Sequence, residues 1–410
     1  MRRVLSLAVL SLTLLPSLAS VQVTPLDFRM NEQVLMVPAG LARSALLQTT
    51  VFRPDGDGPF PLVIINHGKD AGDPRSQTRD RFLFMATAFV KRGYAVMVPM
   101  RQGFANSTGT YANFGCNMTA NGIAHASDVM DTIVFARSQR WIDADRIVIA
   151  GQSYGGLATI ALGTRSIKGV RGLLNFAGGL RDDGNKCDWR SELVRAFSVY
   201  GEHNKIPSLW MYGINDSLFR PDLVGRMHSA FVRSGGRARL HEFGIFKRDS
   251  HGMVASRDGE KIWWKEAESF LRQVGMPTRE MYAVGQPPSL PRSDFAHVDD
   301  IAAVPYLSEG GRSAYREYLS KMTPRAFAVS ASGAWCWAEE GEEPARRALA
   351  TCARKSDRPC QLYSVDDYVV WQGQPVPATM PSLVPVDTAT ASTQTDNAGP
   401  VGHNGPRATR

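Results

Sequence analysis

The β-branched run Arg146-Ile147-Val148-Ile149-Ala150 breaks directly into Gly151-Gln152-Ser153-Tyr154-Gly155-Gly156. The small-residue stretch Leu157-Ala158-Thr159-Ile160-Ala161-Leu162 follows at once. A strand that turns into a helix this sharply leaves no room for side chains beside the turn, so glycines are required at 151 and 155. The serine between them is held in a strained conformation at the C-terminal edge of a sheet. A helix N-terminus beneath it favours developing negative charge. The pattern is a nucleophile elbow with Ser153 as candidate nucleophile; a glycine-rich turn carrying an idle serine is the bland alternative.

The surrounding pattern decides between the two. Strands are expected at Ala45–Phe52, Leu62–Asn66, Tyr94–Val98, Gly172–Phe176, Leu209–Tyr212 and Arg239–Phe243. Helices are expected near Arg79–Arg92, where Phe82, Met85, Ala86, Phe89 and Val90 stand at i, i+3, i+4 spacing, and near Ile123–Arg137, Pro221–Arg233 and Glu260–Val274. Strand and helix alternate over about 220 residues, which predicts an α/β fold with a mostly parallel sheet and helices on both faces. Right-handed crossovers then bring the loops after the strands to one edge, beside the elbow.

The ends of the chain differ from its middle. Arg2-Arg3, the apolar run Val4–Leu15 and Pro16-Ser17-Leu18-Ala19 predict a signal peptide over residues 1–19, hence a periplasmic or secreted protein without stable membrane insertion after cleavage. In an oxidising compartment five cysteines allow two disulfides. Cys352 and Cys360 bracket a short loop and are the expected partners. Cys116 and Cys187 lie in loops expected at one sheet edge and are paired as a hypothesis; Cys336 is then left over, the connectivity staying open at this point. The α/β domain is expected over 20–275, a Pro-rich linker with a short helix over 276–324, and a small Cys-containing α+β module over 325–372. A disordered tail is expected over 373–410. The net charge of +8 is spread along the chain rather than clustered with aromatics, so a nucleic-acid partner is not expected.

A serine nucleophile needs a base, and the base needs an orienting carboxylate. Asp216 stands directly after the strand Leu209–Tyr212, on the expected edge, with Asp249 as the alternative orienter. Among the later histidines, His251 lies in the loop Phe246-Lys247-Arg248-Asp249-Ser250-His251-Gly252, from which an imidazole can reach the elbow. The oxyanion donors are expected to be the backbone N–H groups of Tyr154 and of Lys69, the latter in the turn Asn66-His67-Gly68-Lys69. His67 is read as a loop-orienting residue. Arg101 either orients its own loop or meets a substrate carboxylate, and Trp189 is a candidate substrate contact. The stretch Gly178–Pro207 is expected to lie over the elbow as a lid, unless its apolar residues simply pack on the sheet.

The segments His67-Gly68-Lys69, Arg101-Gln102-Gly103-Phe104, Gly151-Gln152-Ser153-Tyr154-Gly155-Gly156, Tyr212-Gly213 with Asp216, and His251-Gly252 together resemble the α/β-hydrolase superfamily. The resemblance is to its dienelactone hydrolase and prolyl-oligopeptidase-like branch and covers about residues 45–275. Dienelactone hydrolases carry cysteine as nucleophile; position 153 is serine, so the resemblance implies ester or amide hydrolysis rather than lactone specificity. The expected activity is cleavage of a small-molecule carboxylic ester through an acyl-enzyme, with no metal or organic cofactor. A peptidase is the alternative, for which Glu192 and Glu202 are the carboxylates nominated to meet a peptide amine. A non-catalytic envelope-binding protein on the same scaffold is the rival from another class.

Overall fold

The computed structural model describes residues 25–182, 184 and 187–373. The expected signal peptide lies outside the described residues, as does the expected tail beyond Gly373. Eight strands form one sheet: β1 (Gln33–Ala39), β2 (Ala45–Phe52), β3 (Phe60–Asn66), β4 (Ala95–Pro99), β5 (Ile142–Gln152), β6 (Val170–Phe176), β7 (Ser208–Gly213) and β8 (Ala238–Phe243). Their spatial order is β1-β2-β4-β3-β5-β6-β7-β8. β1 and β2 pair antiparallel, as do β2 and β4, and the remaining neighbours are parallel.

Side chains alternate across the sheet and build two cores. Leu62, Ile64, Ile147 and Ile149 face one side, where α2 (Met118–Arg137), α3 (Tyr154–Leu162), α4 (Trp189–His203) and α5 (Pro221–Arg233) pack. Val63, Ile65, Val148 and Ala150 face the other, covered by α1 (Leu83–Val90) and α6 (Glu260–Gln273). Both faces of the central strands are therefore buried, which is why β3 is apolar until its last residue, Asn66.

Several expectations shift. β1 was not expected; it pairs antiparallel with β2 at the sheet edge, and its outer residues are exposed. α1 begins at Leu83 rather than near Arg79, because the Arg79 and Arg81 side chains both turn to the buried carboxylate of Glu32. α2 starts earlier than Ile123, where the Asn117 side chain accepts from the Ala120 N–H. The lid reading is corrected. α4 is the crossover between β6 and β7, and Leu193, Ala196, Phe197 and Tyr200 pack into the first core. The loop before it approaches the elbow, where the Gly179 N–H donates to Ser153 O at 3.0 Å.

A second, four-stranded antiparallel sheet has the order β10 (Trp335–Glu339), β9 (Arg325–Ser330), β11 (Cys360–Val365), β12 (Tyr368–Val369). Phe327 and Val329 meet α7 (Glu309–Leu319) through Tyr315 and Tyr318, so α7 packs with this sheet rather than serving as part of a connection. Ala326 and Ala328 point the opposite way and let α8 (Pro344–Ala353) lie close. The disulfides are Cys116–Cys187 and Cys352–Cys360, with Cα separations of 6.4 and 6.1 Å, and Cys336 is free and buried.

The two sheets meet at a charged seam. Arg81 bridges buried Glu32 and Glu343 of the second body, the latter at 2.9 Å. Lys247 donates to Thr323 O at 2.9 Å and Arg248 to Ser320 O at 3.2 Å. Burial there raises the Glu342 carboxyl to about 8, and Asp80 nearby adds to the rise. A carboxyl whose folded pKa is raised favours folding in its neutral form; its contribution is present at low pH and is lost as pH climbs to the folded value. Glu342→Gln should therefore flatten the decline in unfolding midpoint between about pH 5 and about pH 8, leaving the variant the more stable at the upper end. Urea denaturation at several pH values reads this, and parallel pH curves for the two proteins would refute it.

Candidate active site

The elbow is built by close approach of bare backbone. Ser153 sits between β5 and α3 with φ 55° and ψ −124°, a strained geometry for a residue with a side chain. A Cβ on Gly155 would overlap Asn66 O, and one on Gly151 would overlap the Gly155 carbonyl. The turn is tied down by Ser153 N–H to Phe176 O at 3.0 Å, and by Gly156 N–H to Ser153 O at 2.9 Å.

Asp216 and His251 are brought together from the loops after β7 and β8. His251 Nδ1 lies 3.0 Å from Asp216 Oδ2. The other carboxylate oxygen accepts from the Leu218 and Phe219 N–H groups at 2.8 and 2.9 Å, and the residue is 3% exposed. An ionised carboxylate on Nδ1 makes that nitrogen the N–H and leaves Nε2 with its lone pair. Asp249, the alternative orienter, grips the loop instead: it accepts from the His251 backbone N–H at 2.9 Å and from the Ser217 N–H and hydroxyl. The histidine loop is held against the elbow by Gln152 Nε2, which donates to His251 O at 3.1 Å.

The turn after β3 abuts the serine. A Cβ placed on Gly68 would stand 3.3 Å from Ser153 Cβ, so the backbone of Gly68-Lys69 passes directly beside the nucleophile. Lys69 Nζ turns away to the Asp70 and Gly72 carbonyls at 3.0 and 3.1 Å. The lysine side chain is thus spent on its own loop, and its backbone is what borders the elbow.

Chain topology, a Gly-x-Ser-x-Gly elbow after the fifth strand and a His–Asp contact at the same edge define the fold and its candidate site. A family model for X-Pro dipeptidyl-peptidase (S15 family) matches residues 44–180. The strand order, with the elbow after β5, is that of the α/β-hydrolase fold. A cocaine esterase from Rhodococcus sp. (strain MB1 Bresler) is 24% identical to this chain over 139 residues, 34% of this chain and 22% of the relative. The chain thus spans about a fifth of the length of that curated relative. Solved structures with a similar fold include a Klebsiella pneumoniae protein assigned as a dienelactone hydrolase, with TM-score 0.43 and 17% identity over 59% of this chain and 98% of that one. Another is the acylaminoacyl peptidase of Pyrococcus horikoshii, with TM-score 0.46 and 17% identity over 62% of this chain and 43% of that one. At these TM-scores neither likeness bears on activity.

Three expected contacts are corrected. Arg101 is fully buried and cannot meet a substrate carboxylate; its guanidinium donates to His67 O at 2.6 Å and to His125 Nδ1 at 3.2 Å. Trp189 is 5% exposed and packs in the first core at the start of α4, with Arg190 stacked on its ring, so it offers a substrate little surface. Glu192 and Glu202 are ten residues apart on one helix, about 15 Å along its axis, and so do not form a pair around one amine. Glu192 is also engaged by Arg195 at 3.0 Å.

His125 escaped sequence reading altogether, because nothing in the pattern of α2 marks a polar contact with Arg101. Burial and then the Arg101 charge hold His67 well below the ordinary histidine value and bring His125 to about 3. Both rings are neutral, and their partners fix the tautomers. His67 Nε2 accepts the Arg101 N–H at 3.0 Å, so Nδ1 carries the proton; His125 Nδ1 accepts from Arg101, so Nε2 carries it and faces Ala112 O at 2.9 Å. Nitrogen-15 NMR should show Nδ1–H at His67 and Nε2–H at His125, unchanged between about pH 5 and about pH 8. Titration of either ring in that range would contradict the assignment.

Proposed function

We propose that this chain is an exported serine hydrolase that cleaves a carboxylic ester through an acyl-enzyme. Ser153 Oγ attacks the carbonyl carbon while His251 Nε2 takes its proton; Asp216 holds the ring and stabilises the imidazolium. The tetrahedral oxyanion is received by the backbone N–H groups of Tyr154 and Lys69. Imidazolium then protonates the leaving alcohol, and water attacks the acyl-serine by the reverse path. The observation that carries this reading is His251 Nδ1 on Asp216 at 3.0 Å, on a loop fastened to the residue beside Ser153.

Ester cleavage is favoured over peptide cleavage on one observation. An aminopeptidase needs carboxylates converging on a cationic amine, and Glu192 and Glu202 do not converge. The likeness to the S15 model and to a cocaine esterase lies in a shared segment and leaves room for either acyl substrate. Export is supported by the N-terminal sequence and by the two disulfides, which suit an oxidising compartment. No helix among the described residues is long and apolar enough to cross a membrane.

A fluorophosphonate should label the purified protein at Ser153. Asp216→Asn should lower kcat on p-nitrophenyl esters by about 10⁴-fold, with smaller turnover of aminoacyl amides throughout. A folded protein that neither labels nor turns over any ester would leave the binding-protein reading standing. N-terminal sequencing of protein recovered outside the cytoplasm should begin near Ser20; recovery only in the cytoplasm, with Met1 retained, would refute export.

A further inference from the structure

Arg101 is a fully buried cation that no catalytic step above uses. Among the described residues no carboxylate lies within ion-pair distance of it, an arrangement that is costly unless the charge serves something. Desolvation lowers it to about 10, so it remains protonated at neutral pH. Its surroundings are the Phe104 and Tyr154 rings, each with its centroid 5.2 Å from the guanidinium carbon, and the neutral rings of His67 and His125.

What it touches is the informative part. Its second terminal nitrogen donates to Gly68 O at 3.3 Å, and His67 Nδ1 donates to the same oxygen at 2.7 Å. Arg101 also sets that histidine's tautomer, since its own backbone N–H occupies His67 Nε2. Two donors, one of them charged, thus converge on one carbonyl. Gly68 C=O and Lys69 N–H belong to one peptide group, so density drawn toward the oxygen leaves the N–H a stronger donor.

We propose that Arg101 and His67 are positioning residues that aim and polarise the Gly68–Lys69 peptide, making the Lys69 N–H the stronger receptor for the oxyanion. The proposal rests on the hydrolase reading of Ser153. It assigns the buried guanidinium a role in the transition state and none in substrate binding. The ground-state carbonyl is neutral and gains little from a polarised donor, whereas the tetrahedral oxyanion gains much.

The test uses Arg101→Lys and Arg101→Met in the full-length mature protein. With p-nitrophenyl acetate, kcat should fall about 10- to 100-fold while KM stays within about twofold. Affinity for an alkyl trifluoromethyl ketone, which captures Ser153 as a charged hemiketal, should fall by the same factor. The shape of the pH–rate profile should not change. If the variants do not fold, the wild type still decides: Gly68 carbonyl carbon and Lys69 amide resonances should lie downfield of ordinary loop values, and ordinary values would overturn the proposal. Raised KM at unchanged kcat would overturn it in favour of substrate binding, and unchanged kinetics would overturn it outright. These failures leave fluorophosphonate labelling of Ser153 intact in the wild type. Absence of that labelling would instead overturn the hydrolase reading and this proposal together.

Discussion

Backbone-to-backbone contact at the elbow is the constraint on which the rest depends. Asn66 at the end of β3 and Gly155 at the start of α3 approach so closely that a single Cβ would not fit between them. That closeness lets β5 turn within one residue and leaves Ser153 with a positive φ. It also sets the Gly68-Lys69 turn beside the serine, because that turn is the direct continuation of β3. The strain is held by packing on both faces of the sheet, where α3 is buried along its whole length.

Behind this turn lies a polar layer that is unusual for a core. Arg101, His67 and His125 are all buried and satisfy one another through assigned donors and acceptors. Low dielectric strengthens each of these bonds and penalises any that is lost. The layer is therefore rigid, and it fixes the peptide beside Ser153 without contributing a reacting atom. Burial depresses the histidines, so the cluster holds one positive charge rather than three at neutral pH.

Much of this was legible in the chain, for physical reasons that can be named. The bounds of β2 and α5 follow from period alone, because one is a sheet-core strand and the other a helix with a clean apolar stripe. Ser153, Asp216 and His251 could be nominated because each follows a strand, and parallel topology sends those loops to one edge. The failures are tertiary. Arg79 and Arg81 look like the first turn of a helix until Glu32 is seen to claim both. Between a lid and packing on the sheet the sequence of 178–207 leaves the choice open, and Leu193, Ala196, Phe197 and Tyr200 take the packing alternative. Whether Arg101 faces solvent or interior depends on His125, a residue on another element, and no local pattern carries that information.

The segment after α6 reads as a loose tether by composition, yet it is laced to the first sheet. Tyr94 hydroxyl donates to Pro277 O at 2.7 Å, Arg92 to Thr278 O at 3.1 Å, and the Met281 and Tyr282 N–H groups to Lys91 O at 2.8 and 2.9 Å. Proline in such a strip supplies stiffness, since its fixed φ removes freedom the strip would otherwise forfeit on docking. The second sheet is consequently carried as a fixed buttress. The Arg81–Glu343 pair adds a second fastening at the far side of that buttress, so the body is held at two separate places rather than hung from one.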